Sequence, residues 1–462
     1  MARRIMIIGA GPAGLAALKV LLETPQVKSG HWIVNSFEAR EKVGGIWNPA
    51  EAVDDPPLTP LYDSLTTNIP HPVMAFTSHP FPPSTPIFPP AVTVQTYLED
   101  YTSHFNLTPH IQFNTTVRDI TWLNSRNLWS ATLSTGQTVE KREYHTVIVA
   151  NGHFRKPRYP DTLGLSEWRK AGRTSHSSWY RRPSDLALTV RKVVVVGNGP
   201  SGQDIVAELA EHGITVIHSV LVRSAVSDSD SIKKRGAILR FHPDLSTVIF
   251  KDGSVETHVD HCILATGYEM EFPFLSSKLL PSSSPGVFPN AWIPWNSSYH
   301  VFPLAKHIFP FPAESHFPVG SLAFMGLILR GTPLSLFEAQ ARAIAKVFAE
   351  PEVLDLEYEK QAILRRHQEL GDGKQNTWHK LTEPEAFTYR DELYELAGLD
   401  LRVEVWEKEM WLYKVELRRE WRALVTAKES DRWVEGIGLG GKQEWIGLLW
   451  RILERAGVAA KR

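Results

Sequence analysis

The sequence predicts an α/β fold with two nucleotide-binding domains built on parallel sheets, followed by a helical C-terminal segment. Two glycine-rich loops support this prediction, one at residues 9–14 and the other at residues 197–202. Each loop follows a continuous apolar run, residues 5–8 or 193–196, of the kind found in buried parallel strands. Each also opens an amphipathic helix, which is the strand–loop–helix context of a Rossmann-like dinucleotide site.

The glycines of each loop have separate geometric tasks. The first permits a tight strand-to-helix turn, the second lets the backbone approach a pyrophosphate, and the third lets helix and strand pack closely. The phosphates then meet the free N–H groups and the positive end of the helix. We therefore expect two dinucleotides to be held at once. The residues assigned to their contacts are Gly9, Gly11, Pro12, Ala13 and Gly14 in the first loop, and Gly197, Gly199, Pro200, Ser201 and Gly202 in the second.

The residue at the end of the second strand of each unit distinguishes the two nucleotides. The strand at residues 32–37 ends at Glu38, whose carboxylate can accept hydrogen bonds from ribose hydroxyls and would repel a 2′-phosphate. FAD or NAD therefore suits the first site. The strand at residues 214–218 runs instead into Ser219 and then Arg223, and a hydroxyl with a guanidinium suits the 2′-phosphate of NADPH. A solvated loop arginine is the alternative for Arg223.

Length, charge and cysteine content restrict the class of protein. The length of 462 residues predicts more than one domain. The formal net charge of −1 predicts no bulk attraction to nucleic acid. Cys262 is the only cysteine, which excludes intrachain disulfides, thiolate metal clusters and a dithiol active site, and we predict no metal site. A strand begins close to Met1, and the longest apolar stretch, residues 322–329, is too short to span a bilayer. We therefore expect a cytoplasmic protein without a stable membrane anchor.

The order of the remaining elements predicts that one nucleotide domain is inserted into the other. The first unit runs through a Pro-rich loop at residues 56–90 and a hairpin at residues 122–139 to a strand that ends near Gly152. The second unit begins near Lys192 and closes with a similar strand before Gly267. The predicted domains are residues 1–160 for the first part of the FAD domain, 165–300 for the NADPH domain, and 301–462 for the second part of the FAD domain with the helical C-terminal segment.

The last part of the chain predicts a strand, a helix and then a charged helical region. Thr332 can cap the helix, and Pro333 suits its first position. Residues 350–462 are charged and helical, with many Trp residues. The apolar stretch at residues 445–453 is expected to dock on the protein's own core. A homodimer interface and then membrane contact are the alternatives for that stretch.

The order of these motifs resembles that of the flavin-containing monooxygenases (class B flavoprotein monooxygenases), and is closest to their soluble fungal members. The resemblance covers most of the chain up to about residue 350. Gly172, His176 and Tyr180 also match a family signature, although Lys170 stands where that signature begins with an aromatic residue. The other matching motifs are the two glycine-rich loops, residues 44–47, residues 62–68 and residues 265–267.

The resemblance implies an enzyme that uses NADPH and O2. NADPH reduces FAD, the reduced flavin forms a C4a-hydroperoxide with O2, and one oxygen atom passes to a nucleophilic nitrogen or sulfur of a small molecule. Tyr180 and Arg181 stand where the related Baeyer–Villiger enzymes have Trp-Pro or Trp-Asp, which favours heteroatom oxygenation. Baeyer–Villiger oxygenation, a plain FAD and NADPH oxidase, and a redox-responsive binding protein are the alternatives.

The resemblance also assigns roles to residues around the flavin. Asn68, which follows Thr67 in the matching motif, is the candidate catalytic residue, because its amide can donate near the flavin peroxide and accept from the nicotinamide amide. A turn residue in a Pro-rich loop is the alternative for Asn68. Gly45 and Trp47 are expected to pack at the flavin edge. The helix that begins after Thr332 is expected to direct its positive N-terminal end at the flavin pyrimidine carbonyl.

Overall fold

In the computed structural model, the described residues are 2–221, 228–242, 245–284, 288, 292–311, 317–371, 375–382 and 384–458. The strands are β1 (Arg3–Ile8), β2 (Trp32–Phe37), β3 (Ile111–Gln112), β4 (Thr115–Leu123), β5 (Leu128–Thr135), β6 (Thr138–Tyr144), β7 (Thr146–Val149), β8 (Lys156–Pro157), β9 (Thr174–His176), β10 (Lys192–Val196), β11 (Thr215–Ser219), β12 (Ile232–Arg235), β13 (Ile238–His242), β14 (Thr247–Phe250), β15 (Val255–Glu256), β16 (His261–Leu264), β17 (Tyr268–Glu269), β18 (Trp295–Asn296), β19 (Val301–Phe302) and β20 (Leu322–Phe324). The α-helices are α1 (Pro12–Leu22), α2 (Pro25–Lys28), α3 (His71–Met74), α4 (Ala91–His104), α5 (Leu165–Lys170), α6 (Pro200–Glu211), α7 (Pro333–Ala349), α8 (Leu356–Leu370), α9 (Glu385–Leu396), α10 (Val405–Leu412), α11 (Lys414–Thr426), α12 (Ser430–Val434) and α13 (Lys442–Arg455).

Two five-stranded parallel sheets confirm the predicted fold class. The first has the strand order β20-β7-β1-β2-β3, and the second has the order β12-β11-β10-β16-β9. In each sheet the central strand is the one that precedes a glycine-rich loop: β1 lies between β2 and β7, and β10 lies between β11 and β16. That strand therefore ends at the switch point where open parallel sheets bind nucleotides.

The smaller sheets are antiparallel. The predicted hairpin forms, but a third strand extends it to the sheet β4-β5-β6, with the turn at Gly136 between β5 and β6. The strands β13-β14-β15 form a second three-stranded sheet, and the pairs β8 with β17 and β18 with β19 are short ribbons.

Spatial contacts between residues divide the chain into two compact units. Unit 1 comprises Met1–Asn48, Thr66–His153 and Met270–Arg462, and it contains the first parallel sheet and the C-terminal helices. Unit 2 comprises Pro49–Leu65 and Phe154–Glu269, and it contains the second parallel sheet. The domain boundaries at residues 160, 165 and 300 stay a prediction.

The C-terminal helices of unit 1 pack on its main core. The apolar face of α13 is buried in the same cluster as β1 and α1, as the sequence predicts for residues 445–453. Within the described residues, none of the helices combines the length and the apolar character that a bilayer span requires. The buried residues of α13 are Trp445, Leu448, Leu449, Ile452 and Leu453.

Candidate functional site

The first glycine-rich loop has the close backbone contacts that its sequence predicts. A Cβ atom on Gly14 would lie 1.9 Å from the carbonyl oxygen of Gly9, so only glycine allows α1 to pack this tightly on the end of β1. Gly11 lies against Gly45, because a Cβ on Gly11 would be 3.4 Å from the Gly45 Cα atom. The backbone of the loop at Gly11 therefore packs directly against the backbone of the turn at Gly45.

The N-terminus of α1 is open to an anion. The helix begins at Pro12, and its N-cap, Gly11, has no side chain to accept a hydrogen bond from the first turn. The first turn also contains no acidic residue. Since the early N–H groups of a helix lack partners within the helix, the Ala13 and Gly14 amides are suited to a phosphate.

Glu38 is held against the loop by two backbone amides. Its Oε2 atom accepts a hydrogen bond from the Ala10 N–H at 2.8 Å, and its Oε1 atom accepts one from the Arg40 N–H at 2.9 Å. The side chain is buried, and this burial raises the pKa of the carboxyl group against the opposing effect of the two amides. A carboxylate has about four acceptor positions, so acceptor capacity remains for a ribose.

The turn with Gly45 and Trp47 is tied to the same loop. The Gly44 N–H donates to the Ala10 carbonyl at 3.0 Å, and the Arg40 guanidinium donates to the carbonyl of Gly45 at 3.0 Å. Trp47 is half-buried and packs against the main core of unit 1. The predicted flavin-edge residues are therefore adjacent to the predicted phosphate loop.

Thr67 and Asn68 differ in their surroundings. Thr67 is buried, its N–H donates to the Pro89 carbonyl at 3.0 Å, and its hydroxyl donates to the Ile69 carbonyl at 2.9 Å. Asn68 lies in a bend and is exposed. The two hydrogen bonds of Thr67 hold the backbone on either side of the exposed Asn68.

The helix α7 begins at Pro333 with Thr332 as its N-cap, as predicted, but Thr332 does not cap it through its side chain. Its hydroxyl lies 3.0 Å from the Ser335 hydroxyl and accepts a hydrogen bond from Arg390 at 3.2 Å. A Cβ on Gly326 would lie 3.5 Å from the Ala13 Cβ atom. The connection from β20 to α7 therefore passes next to the start of α1.

The second glycine-rich loop repeats this geometry in unit 2. A Cβ on Gly202 would lie 2.2 Å from the Gly197 carbonyl oxygen, whereas a Cβ on Gly199 would meet nothing within 4 Å. The helix α6 begins at Pro200, followed by Ser201, and its first turn has neither a side-chain cap nor an acidic residue. The backbone at Gly199 is thus open to the approach of a pyrophosphate.

The residues expected at the 2′-phosphate give a mixed result. Ser219 is 2% exposed, and its hydroxyl donates to the Gly236 carbonyl at 2.9 Å. Arg223 lies outside the described residues. β12, which the sequence does not predict, places Lys234 and Arg235 beside the end of β11, where Ser219 pairs with Arg235.

Arg235 is already engaged by acidic residues. Its guanidinium binds Glu256 at 2.6 Å and Asp228 at 3.0 Å. A local signal for this cluster existed in the basic run at residues 233–235, but its position beside β11 depends on strand pairing.

Two of the family-like motifs meet within unit 2. The His176 ring contacts the Gly267 carbonyl through Nε2 at 3.1 Å and the Ser178 hydroxyl through Nδ1 at 3.0 Å. Burial lowers the pKa of His176 to about 4, so the ring is neutral near pH 7. The hydroxyl of Tyr180 donates to Glu208 on α6 at 2.7 Å. Both side chains have structural partners.

The described residues contain no group of three or more His, Cys, Asp or Glu side chains arranged to hold a metal ion. Cys262 is buried in β16, and this burial raises the pKa of its thiol.

Two Rossmann-like sites with open helix N-termini on one chain define the class of a dinucleotide-dependent flavoprotein oxidoreductase. The chain matches the flavin-binding monooxygenase-like (FMO-like) family over residues 2–229 and 229–400. It belongs to this family, which confirms the resemblance found in its motifs.

Individual relatives agree with this assignment. The chain is 30% identical to the flavin-containing monooxygenase FMO GS-OX4 of Arabidopsis thaliana over 464 residues, which covers 93% of this chain and 91% of the relative. It is 31% identical to FMO GS-OX-like 1 of the same plant, with 83% and 80% covered. The solved structure of S-allyl-L-cysteine S-oxygenase from Allium sativum matches with a TM-score of 0.75 at 25% identity, over 91% of this chain and 94% of that one. A particular closeness to fungal members stays a prediction.

Proposed function

We propose that the chain is an NADPH- and O2-dependent FAD monooxygenase that transfers one oxygen atom to a nucleophilic nitrogen or sulfur of a small molecule, and that a thioether sulfur is its preferred acceptor. The observation that carries the proposal is the difference between the two open helix N-termini. A buried carboxylate, Glu38, stands beside the first loop, whereas the strand beside the second loop ends at Ser219.

The first site fits FAD. The Ala13 and Gly14 amides would hold the pyrophosphate, and the unused acceptor positions of Glu38 would receive the ribose hydroxyls. Gly45 and Trp47 would pack at the flavin edge, since they adjoin the loop through Gly11. The N-terminus of α7, which begins at Pro333, would face the pyrimidine end and stabilise negative charge there.

The second site fits NADPH. The open backbone at Gly199 and the uncapped start of α6 would hold its pyrophosphate. β11 itself ends in Ser219 rather than in a carboxylate, and the acidic groups beside that end, Asp228 and Glu256, are paired with Arg235. Arg223 is the proposed cation for that phosphate, with Ser219 as its neighbour along the chain.

FAD, once reduced by NADPH, supplies the activation of O2 from which one oxygen atom reaches the substrate. The chain's own part is to bind and orient. Asn68 would donate and accept hydrogen bonds through one amide while the substrate approaches, and the bonds of Thr67 would fix its direction. The backbone N–H dipoles in the uncapped first turn of α7 are held in place by the helix, so they need no reorganisation during the reaction.

Sulfur is favoured over nitrogen by one relative. The solved structure from Allium sativum bears the name of an S-oxygenase of S-allyl-L-cysteine and matches along most of both chains. We expect thioethers to be oxygenated faster than tertiary amines when product formation is measured in one panel with NADPH and O2. Lactone or ester formation from a ketone panel would instead support Baeyer–Villiger chemistry. Release of H2O2 alone would support a plain oxidase. A homodimer and a cytoplasmic location stay predictions from the sequence.

A further inference from the structure

A buried ion pair of the C-terminal helical segment lies directly against the start of α7. Arg390 on α9 is 3% exposed, and its guanidinium binds the two carboxylate oxygens of Glu407 on α10 at 2.7 and 2.9 Å. The Nη1 atom of Arg390 also donates to the Thr332 hydroxyl at 3.2 Å and to the Ser335 hydroxyl at 2.8 Å. Hydrogen-bond acceptors offset the cost of burying a cation, so the bonds from Nη1 hold both hydroxyls in place.

The contact with Arg390 turns Thr332 away from the capping role that its position offers. Thr332 is the N-cap of α7, yet its side chain accepts no hydrogen bond from a backbone N–H of the first turn. The first turn contains no acidic residue either. Its N–H groups and the positive end of the helix dipole are therefore left for an acceptor other than the N-cap side chain.

A second tie joins the same C-terminal helix to the connection between β20 and α7. The hydroxyl of Tyr389, next to Arg390 on α9, accepts a hydrogen bond from Gln340 Nε2 at 3.1 Å. The other amide atom of Gln340, Oε1, accepts from the Gly326 N–H at 3.1 Å. The Leu329 N–H donates to the His379 carbonyl at 2.9 Å. The C-terminal segment thus holds this connection at two points, at Gly326 through Gln340 and at Leu329 directly.

We propose that Arg390 is a positioning residue of the flavin site. By holding Thr332 and Ser335, it keeps the N-terminus of α7 uncapped and fixed for the pyrimidine end of FAD. The proposal rests on the proposed function, in which that helix end faces the flavin. It gives the C-terminal helical segment a part in cofactor binding, although the segment lies far along the chain from both glycine-rich loops.

The test compares two arginines that both anchor α9. Arg390→Met removes the cation at Thr332 with little change in length. Arg366→Met is the matched control, because Arg366 pairs with Glu385 at the start of α9 and donates to the Trp378 carbonyl at 3.1 Å. Both variants should lower the melting temperature of the FAD-free protein, since each removes a partly or fully buried ion pair.

The readout is FAD binding, measured by flavin fluorescence as the FAD-free protein is titrated. We expect Arg390→Met to raise the Kd for FAD by about tenfold, the upper range of a helix-terminus contribution. The Arg366→Met protein should bind FAD as the wild type does. Arg390→Lys, which keeps the charge, should recover part of the affinity. Equal FAD affinity in Arg390→Met and Arg366→Met would overturn the proposal.

A milder pair of variants serves if Arg390→Met fails to fold. Thr332→Val and Ser335→Ala each remove one hydroxyl contact and leave the pair of Arg390 with Glu407 in place. Their combination should weaken FAD binding and lower the two-electron reduction potential of the bound flavin, because the helix end is no longer fixed. Unchanged affinity and potential would count against the proposal. A wild type that binds FAD but forms no oxygenated product would overturn the proposed function, while the FAD titration would still decide the role of Arg390.

Discussion

The carboxylate of Glu38 accepts a hydrogen bond from the backbone N–H of Ala10 at 2.8 Å, which ties the end of β2 to the middle of the first glycine-rich loop. The bond joins the group that would read the ribose to the loop that would hold the phosphates. A hydroxyl acceptor for the ribose and an anion site for the phosphates would thereby come from adjoining residues.

The first prediction concerns FAD and Glu38. The purified protein should be yellow and should release FAD rather than FMN on acid treatment. Glu38→Gln should raise the Kd for FAD by about tenfold or more, because the Ala10 and Arg40 N–H groups bond different carboxylate oxygens and one of them would then face an NH2 donor. Glu41→Gln, at an exposed position in the loop that follows β2, is the control. A colourless protein that takes up no added FAD would contradict the assignment.

The second prediction concerns the choice of coenzyme. Arg223→Ala should raise the KM for NADPH by about tenfold and leave the KM for NADH nearly unchanged, because only NADPH carries the 2′-phosphate. Arg240→Ala, an exposed arginine of the same unit, should affect neither value. If Arg223→Ala changed both KM values equally, Ser219 or Lys234 would become the candidate for the 2′-phosphate.

The third prediction concerns Asn68. Asn68→Ala should leave the Kd for FAD largely intact, since the contacts of the pyrophosphate and ribose lie at other residues. It should lower the ratio of oxygenated product to NADPH consumed and raise the H2O2 released, because the amide no longer orients the reacting groups. The exposed Asn124 supplies the control variant Asn124→Ala. Wild-type product yield with no extra H2O2 would reduce Asn68 to a turn residue.

The fourth prediction concerns acid stability and His71. Its ring lies 4.9 Å from that of Phe81 and 4.4 Å from that of Trp445, and burial lowers its pKa to about 3 from the ordinary 6.5. Between these values the unfolded chain binds a proton that the folded chain does not, so stability falls as the pH falls below 6.5. At about pH 5 this one group costs about 2 kcal/mol of stability.

Substitution of His71 provides the check on this pH dependence. His71→Phe keeps a ring in the same place and should reduce the decline of the free energy of unfolding between pH 6.5 and about pH 4 by the share of one histidine. The rest of the decline should remain, because burial also lowers the pKa of His153 and of His176 to about 4. His31→Phe, at an exposed position, should keep the wild-type slope. A slope for His71→Phe equal to that of the wild type would show that His71 does not govern this range.

Much of the fold could be predicted because its signals are local. The apolar runs before Gly9 and Gly197 predicted the central strands of both parallel sheets, and the Thr332-Pro333 pair predicted the start of α7 at Pro333. The hairpin expected at residues 122–139 turns at Gly136 and therefore contains only β5 and the start of β6, so β4 is not predicted. A register shift between Val117 and Asp119 interrupts the alternation of side chains along β4.

The candidate site was less accessible to sequence reasoning wherever it depends on distant packing. Arg390 contacts Thr332 across 58 positions of the chain, and no local pattern links the two residues. The sequence also does not show which partner a hydroxyl bonds. The Ser219 hydroxyl donates to the Gly236 carbonyl, and the Thr332 hydroxyl does not cap α7. Such contacts follow from tertiary structure, which local propensity does not encode.

The central claim is that one atom of O2 is transferred to a nucleophilic substrate, and isotope labelling tests it most directly. Wild-type protein loaded with FAD is supplied with NADPH, ¹⁸O2 and a thioether, and the product is analysed by mass spectrometry alongside NADPH consumption. The account predicts a sulfoxide that carries one ¹⁸O atom, formed in nearly equal amount to the NADPH oxidised. Unlabelled sulfoxide, or H2O2 equal to the NADPH consumed with no oxygenated product from thioethers or amines, would contradict it.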